Sequence, residues 1–206
     1  MRLKAVVGHT KTMANLTTAK WQLLPVCTSL NGRNKSAPIA CENQSVRLKL
    51  EPTTAPFNAG NFNLDEKVRL NLDLSCKESH LKLLTQIDEW ALKQLAKDSK
   101  LYFKKELSET ELRTAYRPCA TPHEKAGVQY PPTMRLKIMT DGPNKIRCWT
   151  PDHQPRPMPE EWRNCKLTAQ ATVQSIWLMN GAAGLLFQCC DIIVEEQSAD
   201  CPWDSP

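Results

Sequence analysis

The chain has 206 residues, 41% of them apolar and 24% charged, which suffices for one folded domain and excludes a globally disordered chain. Its net charge of +5 is unevenly spread: residues 1–50 carry eight Lys/Arg against a single acid, Glu42, and the remainder is close to neutral. Nine cysteines, an odd number without any CxxC pair, exclude a disulfide framework and point to reduced thiols in an intracellular protein.

Residues 1–19 are acid-free and rich in Lys and Thr. They are expected to form a flexible basic leader, and they lack the apolar stretch of a secretory signal. The folded domain is expected over 20–196. "WQLLPVCTSL" and "KSAPIAC" read as extended runs around the Asn-Gly turn at 31–32. "VRLKLEP" alternates, with Val46, Leu48 and Leu50 facing inward and Arg47 and Lys49 outward. "TTAPFNAGNFN" is a loop carrying Phe57 and Phe62. "VRLNLDLSC" then alternates from Val68 to Cys76, with Arg69, Asn71, Asp73 and Ser75 on the polar face.

The period next lengthens to that of a helix. Leu84, Ile87, Ala91 and Leu95 make an apolar stripe, and a helix is expected over about 79–98 with Ser79 as its N-cap. Asp88 and Glu89 read as a solvated edge of that helix. Ser108 and Glu111 have capping-box spacing for a short helix over 108–116. "RPCATPHEKAGVQYPP" reads as a loop, "TMRLKIM" as a strand exposing Arg135 and Lys137, and "KIRCWTPD" as a further strand. The proline-rich "HQPRPMPEEW" is a connector.

From Leu167 to Cys190 no side chain is charged. The length matches a bilayer span, but the first half is polar and "NGAAG" interrupts the middle. Two strands around a turn using Gly181 and Gly184 are expected instead, as the pair that closes a small barrel. The fold class is therefore mostly β with a helical insertion, an OB-fold-like Greek-key barrel. An acidic C-terminal tail follows over 197–206.

No HExxH, GxSxG, phosphate loop or GxGxxG occurs, so no catalytic residue, metal or cofactor is expected. What recurs is bases interleaved with aromatics: Tyr102-Phe103-Lys104-Lys105, Tyr116-Arg117, Arg135 and Lys137 after Tyr130, and Trp149 after Arg147. Cations neutralise phosphates and rings stack on unpaired bases, which is how single-stranded nucleic acid is held. Arg47, Lys49, Arg69, Arg135 and Lys137 add a basic strand face. Trp90 and Trp177 are assigned to the core.

The order of "APFNAGNF", the alternating strand, the "DEW" helix, "SKLYFKK", "ETELRTAY", "YPPTMRLKI" and "IWLMNGAAGLLFQCCDIIV" resembles the single-stranded DNA-binding proteins of large DNA viruses and phages. These have a modified OB fold. The resemblance implies sequence-independent binding of single-stranded DNA in replication, recombination or repair, without catalysis or cofactor. It implies contacts at Phe57, Phe62, Tyr102 to Lys105, Tyr116, Arg117, Arg135 and Lys137. Expected partners are single-stranded DNA, with RNA as an alternative, and replication or recombination proteins docked by the acidic tail. No membrane is expected, a homo-oligomer is left open, and the nucleus, a viral replication site or an organelle would house the protein. The alternatives are a structural or interaction protein of a virus or mobile element, and a small zinc-binding regulator using Cys119, His123, Cys148 and His153.

Overall fold

Period-two alternation dominates the chain, and strands dominate the computed structural model, which describes residues 11–12, 18–28, 35–60 and 68–195. In chain order, β1 (Lys11–Thr12), β2 (Trp21–Leu23), β3 (Cys27–Thr28), β4 (Lys35–Cys41), β5 (Gln44–Lys49), β6 (Thr53–Thr54) and β7 (Arg69–Ser75) come first. Three helices follow, α1 (Glu78–Lys97), α2 (Ser99–Phe103) and α3 (Glu109–Ala115). Then come β8 (Tyr116–Arg117), β9 (Ala120–Lys125), β10 (Val128–Met139), β11 (Arg147–Trp149), β12 (Pro155–Arg156), β13 (Lys166–Met179) and β14 (Ala182–Glu195). The fold is mostly β with a helical insertion, consistent with an OB-like β+α architecture. The Asn-Gly turn and Phe62 lie outside the described residues, as do positions 196–206.

The main ladder runs β1-β5-β4-β13-β14-β10-β7, and among the described pairings its two ends do not meet. The sheet is therefore not closed. The uncharged run forms β13 and β14, but these strands are the centre of the sheet and not the seam of a barrel. β13 pairs with β4, β5, β6 and β14. β14 also pairs in parallel with β8, β10 and β11. A strand flanked on both sides needs apolar residues inward and neutral polar residues outward, which explains the lack of charge.

The β13–β14 turn uses Asn180 (φ 51°) and Gly181 (φ 77°), the paired left-handed positions that match strand twist in a two-residue hairpin. Gly184 has no part in this turn. It sits within β14, directly opposite Trp177. The segment read as a loop before Thr133 also forms structure. β9 and the start of β10 make a hairpin around Ala126 (φ 51°) and Gly127 (φ 78°).

The inner face of the sheet and the apolar stripe of α1 share one buried cluster, which includes Leu48, Leu72, Leu74, Ile87, Leu95, Leu136, Val173 and Phe187. Trp90 of α1 meets Trp21 of β2 edge to face at 5.3 Å, a contact worth about 0.5–1.5 kcal/mol beyond area burial. Ser79 does not cap α1. Its hydroxyl donates to Glu51 at 2.8 Å, and His80 Nδ1 instead accepts from the Lys77 amide at 3.1 Å. At α3 the capping box forms: Ser108 Oγ accepts from the Glu111 amide, and Glu111 accepts from the Ser108 amide. Among the described residues, no helix is long and apolar enough to cross a membrane.

Candidate nucleic-acid interface

Residues directly opposite on neighbouring strands point to the same face of a sheet. The register therefore shows which polar side chains are gathered. One outer row is Arg47, Thr172, Gln188, Lys137 and Asn71, contributed by β5, β13, β14, β10 and β7. A second row is Ser36, Trp177, Gly184 and Arg117, from β4, β13, β14 and β8. Two adjoining hollows of about 340 and 720 Å³ share Lys137, Trp177 and Leu186. Together they form a groove across the strands, with Arg69 and Lys35 toward one side and Arg117, Arg135 and His123 toward the other.

Trp177 is the centre of this groove. A Cβ added at Gly184 would lie 2.6 Å from Trp177 Cζ2 and 2.8 Å from Cε2. The indole therefore covers a strand position that only glycine leaves open, and Arg117 is the next residue in the same row. Assigning Trp177 to the core is corrected accordingly: the ring is half-buried and lines both hollows. The signal was legible in principle, because a two-residue turn at Asn180-Gly181 sets Trp177 opposite Gly184.

Charge in the groove is partly neutralised. Arg135 forms a two-pronged pair with Asp73, Nε to Oδ1 at 2.8 Å and the second nitrogen to Oδ2 at 2.9 Å. The guanidinium is held even more firmly charged by this hydrogen bond. Arg117 is exposed and makes no ion pair among the described residues. Rings also stand at the rim. Phe57, 53% exposed, meets His123 edge-on at 6.3 Å, and His123 is the cross-strand partner of exposed Tyr130. The Asn58 side chain holds the Phe57 loop in place by accepting from the amides of Trp162 and Arg163 at 2.9 and 2.8 Å. The sequence names Tyr130 only beside Arg135 and Lys137 and His123 only as a zinc candidate; their pairing across a hairpin comes from the β9–β10 register.

The structure does not bring the other aromatics to this surface. Tyr102 is buried at 9% exposure and Tyr116 at 4%, so neither ring offers a face for stacking, and both correct the expectation of direct contact. Phe103 packs partly against the core. Lys104, with φ 62°, ends α2 and turns outward beside Met179 at the β13–β14 tip, and Lys105 is exposed after it. Arg47 and Lys49 lie on the outer face as read, while Trp149 is half-buried on β11.

Tyr116 has a different role. Its hydroxyl donates to Asp88 at 2.7 Å, and the Cys119 amide donates to the same carboxylate at 3.0 Å. Asp88 is thus a half-buried anchor, not a solvated helix edge. Burial raises its pKa against the opposing hydrogen bonds from Cys119 and Tyr116. Glu89 is the exposed neighbour, paired with both Arg113 terminal nitrogens at 2.7 Å. The Asp88 contacts tie the segment 116–119 to α1 and so deliver Arg117 to the Trp177 row.

The zinc reading is corrected as well. Cys119 Sγ faces Asp88, His123 Nε2 is 2.8 Å from Thr133 Oγ1, and Cys148 is buried. Among the described residues, no three metal-ligating side chains cluster. Burial pushes the thiols of Cys76 and Cys148 up to about 11, so they are un-ionised and poorly nucleophilic at neutral pH.

No family model matches the chain, and no curated protein matches it in sequence. Among solved structures, the chain is similar to a single-stranded DNA-binding protein from bacteriophage Enc34, solved in complex with ssDNA. The TM-score is 0.43 at 9% identity, covering 85% of this chain and 96% of that one.

Proposed function

We propose that the protein binds single-stranded nucleic acid, DNA in the first instance, in the groove centred on Trp177, without reading sequence. The observation that carries this is the row Ser36–Trp177–Gly184–Arg117 beside the row Arg47–Thr172–Gln188–Lys137. A flat indole held on glycine offers a stacking platform to any base, and the cations around it serve phosphates. Duplex DNA hides its base faces and would use only the charges. The family resemblance noted in the sequence extends the proposal to a role in replication, recombination or repair, with the acidic tail as a docking arm for proteins of those pathways.

Titration of fluorescent oligo-dT at two salt concentrations, with duplex of equal length as control, tests the reading. Tight single-strand binding is expected, with log K falling by about 0.7 per neutralised phosphate for each decade of salt. Equal affinity for duplex and single strand, or no binding at low salt, overturns it.

A further inference from the structure

A second hollow of about 550 Å³ lies on the same outer face, further along β13 and β14, and is lined by Lys49, Arg147, Trp149, Gln170 and Asp191 among others. It is also built by register. Lys49 pairs with Gln170, Gln170 with Asp191, and Asp191 with Arg147. The next row holds Thr168, Ile193 and Trp149.

The placement of Asp191 depends on a bulge. Gln170 pairs with Asp191, but Ala171 pairs with Cys189, so Cys190 is the extra residue. An extra residue re-aims the side chains beside it. Cys190 lies 3.6 Å from the outward Thr172, and its neighbour Asp191 also faces outward. There Asp191 accepts from Arg147 at 2.6 Å and from Trp149 Nε1 at 3.1 Å. One carboxylate thus fixes both a guanidinium and an indole at the mouth of a concave surface. Lys49 is exposed across the hollow and makes no ion pair among the described residues. Structural packing alone does not call for a half-buried tryptophan clamped by its polar edge beside two cations.

We infer that this hollow is a second subsite for single-stranded nucleic acid, with Trp149 as its stacking ring and Lys49 and Arg147 as its phosphate contacts. The inference rests on the binding proposed for the Trp177 groove. Nine residue steps along β13 take the Trp177 row to the Thr168 row, a distance of roughly 30 Å at strand rise. Outward Gln174, Thr172 and Gln170 lie between them, Thr172 in the Arg47–Lys137 row of the first groove and Gln170 in the Lys49–Arg147 row of the second. A short oligonucleotide seated on Trp177 does not reach Trp149, whereas a longer one does.

Length dependence is therefore the test. Oligo-dT of about 5 and about 16 nucleotides spans the range that one OB-type fold occupies. Trp149→Ala and, independently, Lys49→Glu are titrated with both, alongside Trp177→Ala. Trp149→Ala is expected to bind the short oligomer as the unsubstituted protein does, Lys49→Glu to lose less on the short oligomer than on the long one because Lys49 stands one row from Arg47, and both to bind the long one about tenfold or more weakly. Trp177→Ala should weaken both. Lys49→Glu changes an exposed residue, so it remains informative if Trp149→Ala misfolds. Unchanged long-oligomer affinity in Lys49→Glu overturns the subsite while leaving the main groove standing. Equal losses at both lengths also overturn it, because the hollow would then belong to the first site. Failure of the unsubstituted protein to bind either oligomer sinks the underlying reading instead.

Discussion

The outer sheet face and the helical insertion carry the same chemistry in sequence and use it in opposite ways. On the sheet, Arg135 and Lys137 alternate with buried Met134, Leu136 and Ile138, and register brings them near Trp177 from a distant strand. In the insertion, Tyr102-Phe103-Lys104-Lys105 and Tyr116-Arg117 place ring and cation side by side, yet the tyrosines turn into the core. Neighbours along a helix or at its end diverge around the axis, whereas cross-strand partners converge on one face. Ring and base adjacent in sequence thus say little about a shared surface, and the pleat says a great deal.

The largest expected effect breaks the insertion without touching the groove. Tyr102→Ala removes a buried ring and should cost about 3–5 kcal/mol of stability, as aromatic deletions in cores do. Urea unfolding measures that loss. The folded protein should still bind oligo-dT with near-normal affinity; a binding defect in folded Tyr102→Ala would show that the two regions do not divide the work this way.

Trp177→Ala should do the reverse. It should weaken oligo-dT binding by about 1–3 kcal/mol, the usual worth of one stacked base, while leaving cooperative unfolding intact. Gly184→Ala provides a subtler version, because its new Cβ would press on the indole 2.6 Å away and move the ring off its seat. Normal affinity in both variants would remove Trp177 from the site. Charge should matter less per residue. Lys137→Ala is expected to lower the slope of log K against log salt by about 0.7, one phosphate's share for a single strand. Asp73→Asn should raise affinity, since it releases Arg135 from its pair. A lower affinity would mean that Asp73 positions Arg135 for contact.

Much of this arrangement was legible in the sequence because period-two patterning is local. It marked Arg47, Lys49, Arg69, Arg135 and Lys137 as outward before any strand was paired. The order of the strands was not local. Reading β13 and β14 as a closing seam, when they are the spine, came from seeing a hairpin without its other partners. A tryptophan in an uncharged run usually packs, and on that ground alone Trp177 belongs to the core. Only its opposition to Gly184 shows otherwise, and that depends on assigning the turn to Asn180-Gly181 alone. Asp88 looked solvated because its partners, Tyr116 and Cys119, are 28 and 31 residues away.

The smallest expected effect separates the two regions by pH. His80, 1% exposed at the start of α1, accepts the Lys77 amide through Nδ1, and its Nε2 has no hydrogen-bond partner among the described residues. Desolvation by burial lowers its pKa from the usual 6.5, outweighing the opposing influence of Glu51. A histidine whose folded pKa lies below its unfolded one binds protons more readily when unfolded, so folding is favoured above about 6.5 and loses ground as pH falls through that value. Protonation would also take Nδ1 away as the acceptor at the helix start. Thermal melts from pH 7.5 down to pH 5 should therefore show a declining midpoint, and His80→Leu should flatten that decline over the upper part of the range, where carboxylates remain ionised. His80 does not line the groove, so at each pH His80→Leu should leave affinity for oligo-dT unchanged at temperatures well below the melt. A melting profile equally steep in His80→Leu would place the acid sensitivity elsewhere in the molecule, and an affinity that follows the melting midpoint would mean that the groove and the helix start are one coupled unit.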